Sequence, residues 1–179
     1  CFEEGVVHES FNYAALMGLP VIFVCENNEY SVYTHLESRQ PDRSMNKIAE
    51  AHGWDVDFGN GNDLNQVAKI SRNAVSRVKA NGRPQFLEFE TYRWIEHCGP
   101  NNDDHLNYRP ADEVASWKKK CPIQHMETQL LSQKIITRKD LDSFHQSIMD
   151  EIEQSFKFAQ ASPFPSPESL YQFSNVDPT

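Results

Sequence analysis

The sequence predicts an α/β fold: a mostly parallel sheet flanked by helices, followed by a helical C-terminal segment. Three observations carry that expectation. Val21 to Cys25 is an unbroken run of β-branched, aromatic and small apolar residues, which suits a parallel strand buried on both faces. Leu64, Val67, Ala68, Ser71, Ala74, Val75 and Val78 recur at three- and four-residue intervals, the one-sided pattern of an amphipathic helix. Gln85 to Thr91 then alternates Phe86, Glu88 and Glu90 against Leu87 and Phe89, so strands and helices succeed one another as in βαβ units.

Each element has a local reason. Residues 3–17 read as a helix: Glu3 and Glu4 suit the positive end of its dipole, Phe11, Ala14, Ala15 and Leu16 form an apolar face, and Gly18 with Pro20 stops it. Pro20 fits the first position of the strand that follows, where no ladder N–H is needed. Glu26, Asn27 and Asn28 end that strand abruptly, and the carboxyl end of a parallel strand faces the ligand crevice in open α/β sheets. A polar loop to Arg43 carries Tyr30, Tyr33 and Arg39. Ser44 can cap a helix over 45–52 closed by Gly53, a second strand fits 54–58, and Asn62 or Asp63 can cap the long helix from Leu64. Asn81-Gly82-Arg83-Pro84 breaks that helix before the third strand. Residues 92–110 then form a polar loop, long enough in a compact domain to suggest a lid or binding loop. Helices are expected over 111–120, 123–133 and 141–160, the last with Leu141, Phe144, Ile148, Ile152 and Ala159 on one stripe and Thr137 with Asp140 as a capping pair. The domain plan is therefore 1–110, including the loop 92–110, a helical extension of the same domain over 111–161, and a proline-rich tail over 162–179.

With 179 residues the chain can bury a real core. Twenty-six acidic against 17 basic residues give a formal charge of -9, which argues against nucleic acid or an anionic membrane as the main partner. No apolar run approaches the length of a membrane span. Cys1, Cys25, Cys98 and Cys121 show neither metal-site nor disulfide spacing, and a cysteine in a buried strand points to a reducing, intracellular compartment. The first residue is cysteine rather than methionine, so a longer product with more chain upstream is expected.

Two motifs invite chemistry weakly. Gly59-Asn60-Gly61-Asn62-Asp63-Leu64 lies between a strand and a helix, but Leu64 replaces the third glycine of a dinucleotide fingerprint, so a turn and helix cap is the favoured reading. His97, Cys98, Asp103, Asp104 and His105 lack a regular metal-ligand spacing and read as a solvated loop.

The stronger signal is a series of motifs. Glu3-Glu4-Gly5, His8-Glu9-Ser10-Phe11-Asn12, Ala14-Ala15 and the run from Leu19 to Asn28 with Tyr30 resemble the second half of the thiamine diphosphate motif. Glu88-Phe89-Glu90-Thr91-Tyr92-Arg93, His97, Asn107-Tyr108-Arg109 and Cys121-Pro122-Ile123 extend the likeness along the chain. The family it resembles is the alpha subunit of the decarboxylating component of 2-oxo acid dehydrogenase complexes, of the pyruvate and acetoin dehydrogenase type.

That resemblance implies the thiamine diphosphate-binding fold, with thiamine diphosphate and magnesium as cofactors. It implies that the Asn28 side-chain oxygen and the Tyr30 backbone carbonyl bind magnesium, beside an aspartate of a Gly-Asp-Gly triplet expected just upstream of Cys1. It also places the backbone of Cys1 beside the diphosphate at a helix start, where N–H groups favour anions. His97 matches the active-site loop histidine, able to bond diphosphate or substrate and pass a proton. Arg93 and Arg109 match arginines that order the loop. The implied reaction is oxidative decarboxylation of pyruvate or a related 2-oxo acid, with acyl transfer to lipoamide. The implied partners are a beta subunit, in a heterotetramer of two alpha and two beta chains, and a lipoyl-bearing acyltransferase. The expected location is the bacterial cytoplasm, or the mitochondrial matrix in a eukaryote. The chain departs from animal pyruvate dehydrogenases at their regulatory serines, where Cys98 and Asn107 stand, so no kinase control is expected there. An acyloin-cleaving subunit, a non-catalytic subunit and a nucleotide-binding oxidoreductase using the Gly59–Leu64 turn are the alternative readings.

Overall fold

The structure is a computed structural model that describes residues 2–171. It divides between Thr128 and Gln129 into two compact units. The first holds a three-stranded, wholly parallel sheet in the order β1 (Ile22–Asn27), β5 (Gln85–Glu90), β4 (Asp55–Asn60). Helices α1 (Gly5–Met17), α2 (Met45–Ala51) and α3 (Leu64–Asn81) accompany it, and β2 (Tyr30–Ser31) with β3 (Thr34–His35) forms a small antiparallel hairpin after β1. Helices α4 (Ala111–Lys118) and α5 (Pro122–Ser132) follow the long loop, and α6 (Arg138–Ala161) belongs to the second unit.

Caps fall where the sequence placed them. Gly18 ends α1 with a left-handed φ of 60°, Ser44 accepts from the Lys47 N–H, and the Asp63 carboxylate accepts from the N–H groups of Asn65 and Gln66. Helix α1 starts two residues later than expected. Glu3 is drawn away from the helix, its carboxylate pairing with Arg39 and accepting from the Gln40 side chain at 2.7 Å. On one face of the sheet Phe11 meets Trp54 at 4.8 Å and Phe86 at 5.6 Å, and the Trp54 indole donates to the Phe11 carbonyl at 2.9 Å. On the other, Ala74 with Val67 and Ile70 of α3 packs on Leu87 and Phe89.

The two strand readings exchange places. The strand containing Val21–Cys25, expected to be buried on both faces, lies at a sheet edge and leaves Val24 56% exposed. The alternating strand β5 is the central one, buried from Gln85 through Phe89. Order in the sheet, not local pattern, decides burial. Leu64, expected on the buried stripe of α3, is exposed at the helix start.

In the second unit, Thr137 and Asp140 form the expected capping box of α6, and Phe144, Ile148 and Ile152 on its stripe are exposed. The tail is not wholly extended, since Pro167–Tyr171 forms a 3-10 turn. Residues 172–179 of the predicted tail, like Cys1, lie outside the described residues. No helix among the described residues is long and apolar enough to cross a membrane.

Candidate functional site

The carboxyl ends of β1 and β5 open onto a polar crevice, the position that parallel strands reserve for ligands. Where the ladder ends, the Thr91 N–H still donates to the Asn27 carbonyl at 3.0 Å. The chain then turns sharply. The Asn27 side-chain oxygen accepts from the Glu29 N–H at 3.1 Å, and the Asn28 side-chain oxygen accepts from the Tyr30 N–H at 3.0 Å. Glu29, between the two side-chain-closed turns, is left-handed with φ 63°.

Tyr30 is held from both sides. Its ring stands edge-on to His35 at 5.0 Å, and its hydroxyl donates to Glu113 on α4 at 3.1 Å. Burial first, then the Glu113 carboxylate, pushes that hydroxyl up to about 12. Asn28, Tyr30, Arg39, Gln40 and His97 line a single cavity of about 200 Å³. The structure thus brings three of the predicted site residues, Asn28, Tyr30 and His97, onto one cavity. The fourth, Cys1, lies outside the described residues.

The loop over 92–110 is built around two arginines. Arg109 is 6% exposed; its guanidinium pairs with buried Asp103, donates to the Arg93 carbonyl, and lies 4.8 Å over the Tyr108 ring. Arg93 donates to the Val32 carbonyl at 2.6 Å and to the Tyr108 hydroxyl at 3.0 Å, and its Nη1 lies 3.0 Å from Nδ1 of His97. A guanidinium has no lone pair, so Nδ1 must accept, which assigns the hydrogen of neutral His97 to Nε2. The Tyr108 hydroxyl closes the network by donating to Asp103 at 2.6 Å.

Several parts of the site escaped the sequence. Glu88 reads as one residue of an alternating strand and Glu113 is not singled out, yet Glu88 accepts from Asn27 and Glu113 from the Tyr30 hydroxyl. The glycines at 59 and 61 have packing reasons. Asn60 and Gly59 belong to β4 rather than to a turn, and a Cβ on Gly61 would stand 2.8 Å from the Glu90 carbonyl, to which the Gly61 N–H donates. Asp103 and Asp104 both engage Arg109, and among the described residues no group of three or more His, Cys, Asp or Glu side chains is disposed for a metal.

The cavity is lined by the amide oxygens of Asn27, Asn28 and Gln40, the Ser31 hydroxyl and the carboxylates of Glu26 and Glu29, with Arg39, His97 and the paired sulfurs of Cys25 and Met45 beside them. The oxygen donors among them are of the kind a hard divalent cation takes. Asn28 keeps a second lone pair beyond its bond to Tyr30.

Fold and crevice together define a parallel α/β protein with a polar, oxygen-lined ligand crevice at its strand ends. The family model described as "Dehydrogenase E1 component" matches residues 2–168, and the chain belongs to that family. Its relatives include the pyruvate dehydrogenase E1 component subunit alpha of Rickettsia bellii, 33% identical over 168 residues that cover 94% of this chain and 51% of the relative. The mitochondrial subunit of the same name from Dictyostelium discoideum is 32% identical over 177 residues, 97% of this chain and 45% of that one. The chain spans about half the length of the relatives it matches. A crystal structure of a transketolase from Campylobacter jejuni aligns with a TM-score of 0.45 and 21% identity over 50% of this chain and 13% of its own, a likeness too loose to add to the assignment.

Proposed function

We propose that this chain is part of the alpha subunit of a thiamine diphosphate-dependent 2-oxo acid dehydrogenase, acting on pyruvate or a related 2-oxo acid. The observation that carries the reading is the convergence of Asn28, Tyr30 and His97 on one cavity, in a chain of this family. The names of its relatives favour pyruvate. Bound thiamine diphosphate supplies the carbanion that makes decarboxylation of a 2-oxo acid possible. This chain's residues hold and orient. The Asn28 amide oxygen and the Tyr30 carbonyl would hold magnesium, the Cys1 backbone would meet the diphosphate as the family resemblance implies, and Arg39, paired with Glu3, lines the cavity wall. His97, with Nδ1 facing Arg93 and its hydrogen on Nε2, would donate to the diphosphate or substrate and would move a proton during acyl transfer. The beta subunit completes the site in a heterotetramer, and a lipoyl-bearing acyltransferase accepts the acyl group. The setting is the cytoplasm of a bacterium, or the mitochondrial matrix of a eukaryote.

Calorimetric titration of thiamine diphosphate with magnesium tests this. The 179-residue chain alone, with no beta subunit to complete the site, is expected to show no tight magnesium-dependent binding. The assembled full-length alpha–beta protein is expected to bind, and Asn28→Ala to weaken binding by roughly 10-fold or more. An assembled protein that takes up no thiamine diphosphate overturns the reading.

A further inference from the structure

We propose that Glu88 is a positioning residue for the ion-binding turn and acts through the side chain of Asn27, an inference that rests on the function proposed above. Glu88 sits on the central strand and is 7% exposed. A carboxylate so buried is ordinarily matched by a cation. Here two amides hold it instead: Oε1 accepts from Nδ2 of Asn27 at 2.9 Å, and Oε2 accepts from Nδ2 of Asn46 at 2.7 Å.

The Asn27 bond has a directional consequence. An amide group presents a donor at one end and an acceptor at the other. With Nδ2 committed to a carboxylate that can only accept, Oδ1 must face the opposite way, where it accepts from the Glu29 N–H. That bond holds Glu29 in its left-handed conformation, and the next turn places the Asn28 oxygen at the Tyr30 N–H. If the Asn27 amide were reversed, Nδ2 would point at the Glu29 N–H, two donors face to face. Glu88 therefore fixes which way Asn27 points, and Asn27 fixes the turn that carries Asn28 and Tyr30. Asn46 is oriented by the Glu88 bond alone, because its own buried Oδ1 has no partner on the far side.

This asymmetry supplies a test with near-isosteric variants. Asn27→Asp sets two carboxylates against each other. Adding Glu88→Gln reverses the pair. The carboxylate now at position 27 accepts from both the amide introduced at position 88 and the Glu29 N–H, while the oxygen of that amide accepts from Asn46. The measurement is the dissociation constant of thiamine diphosphate with magnesium in the assembled alpha–beta protein, read by tryptophan fluorescence, with the melting temperature recorded separately. Asn27→Asp is expected to weaken binding by about 10-fold or more, and the double variant to recover most of that loss. The inference is overturned if Asn27→Asp binds normally, if Glu88→Gln fails to rescue it, or if rescue appears only in the melting temperature. If the unaltered protein takes up no thiamine diphosphate, the parent reading falls instead, so the two failures are distinguishable.

Discussion

Val32 occupies the tip of the β2–β3 hairpin with φ 54°, and its side chain is partly exposed. A left-handed backbone brings Cβ against the following carbonyl at a cost of roughly 1–2 kcal/mol, and a β-branched residue has little freedom to relieve it. The strain is held by the Val32 carbonyl, which accepts from Arg93 of the loop over 92–110. Glycine at this position keeps the carbonyl and removes the clash, at the smaller cost of a more flexible unfolded chain. Val32→Gly is therefore expected to stabilise the protein by about 1 kcal/mol, read as a higher midpoint in thermal unfolding. A lowered midpoint would show that the Val32 side chain contributes more than its backbone costs.

At the scale of elements, the loop over 92–110 is irregular but not loose. The buried Arg109–Asp103 pair is its centre, with Tyr92, Tyr108 and Arg93 around it. Removing one partner strands the other charge without water, so Arg109→Met is expected to destabilise by about 3–5 kcal/mol. Protease digestion should then cut first within this loop; unchanged digestion and melting would refute its role as the anchor. A second link joins the start of α1 to the segment after the hairpin. The Gln40 side chain, with Arg39 adding its charge, holds the Glu3 carboxyl at about 2, against 4.5 unperturbed. Because the folded value is depressed, the stability it contributes is present above pH 4.5 and is lost as pH falls towards 2. Glu3→Gln should flatten the stability-against-pH curve in that window, measured by chemical denaturation at successive pH values, and leave its shape above about pH 5 unaltered. The caps of these elements were legible because each is a local rule: Ser44, Asp63, Thr137 and Gly18 act on residues within four positions. The strand end at Asn27–Asn28 was legible for the same reason. Glu88 and Glu113 were not, since each draws its meaning from a partner that only the folded chain brings near; the resemblance pointed to Arg109 as a loop-ordering residue but not to its buried partner Asp103. The burial of β1 was misjudged on the same ground, because a run of apolar residues does not say how many neighbours a strand has.

For the molecule as a whole, the consequential fact is that the sheet, packed on both faces, has two open edges among the described residues. Strands β1 and β4 are both edges, flanking β5, and each carries an exposed apolar side chain, Val24 at 56% and Phe58 at 57%. Unpaired strand edges bearing apolar side chains are templates for association. Against this stands a net charge of -9, which makes copies of the chain repel one another. Charge repulsion is screened beyond about 10 Å at 0.1 M salt, whereas the apolar attraction is not weakened by salt. Sedimentation velocity on the 179-residue chain should therefore show self-association that rises with both protein concentration and sodium chloride. Val24→Lys places a charge on one edge without touching the aromatic cluster around Phe11, so it should reduce association while leaving the melting temperature within a few degrees. A chain that stays monomeric at high salt would mean that the edges are protected in solution by something other than charge. Association that persists unchanged in Val24→Lys would move the contact from β1 to the β4 edge or to the exposed stripe of α6.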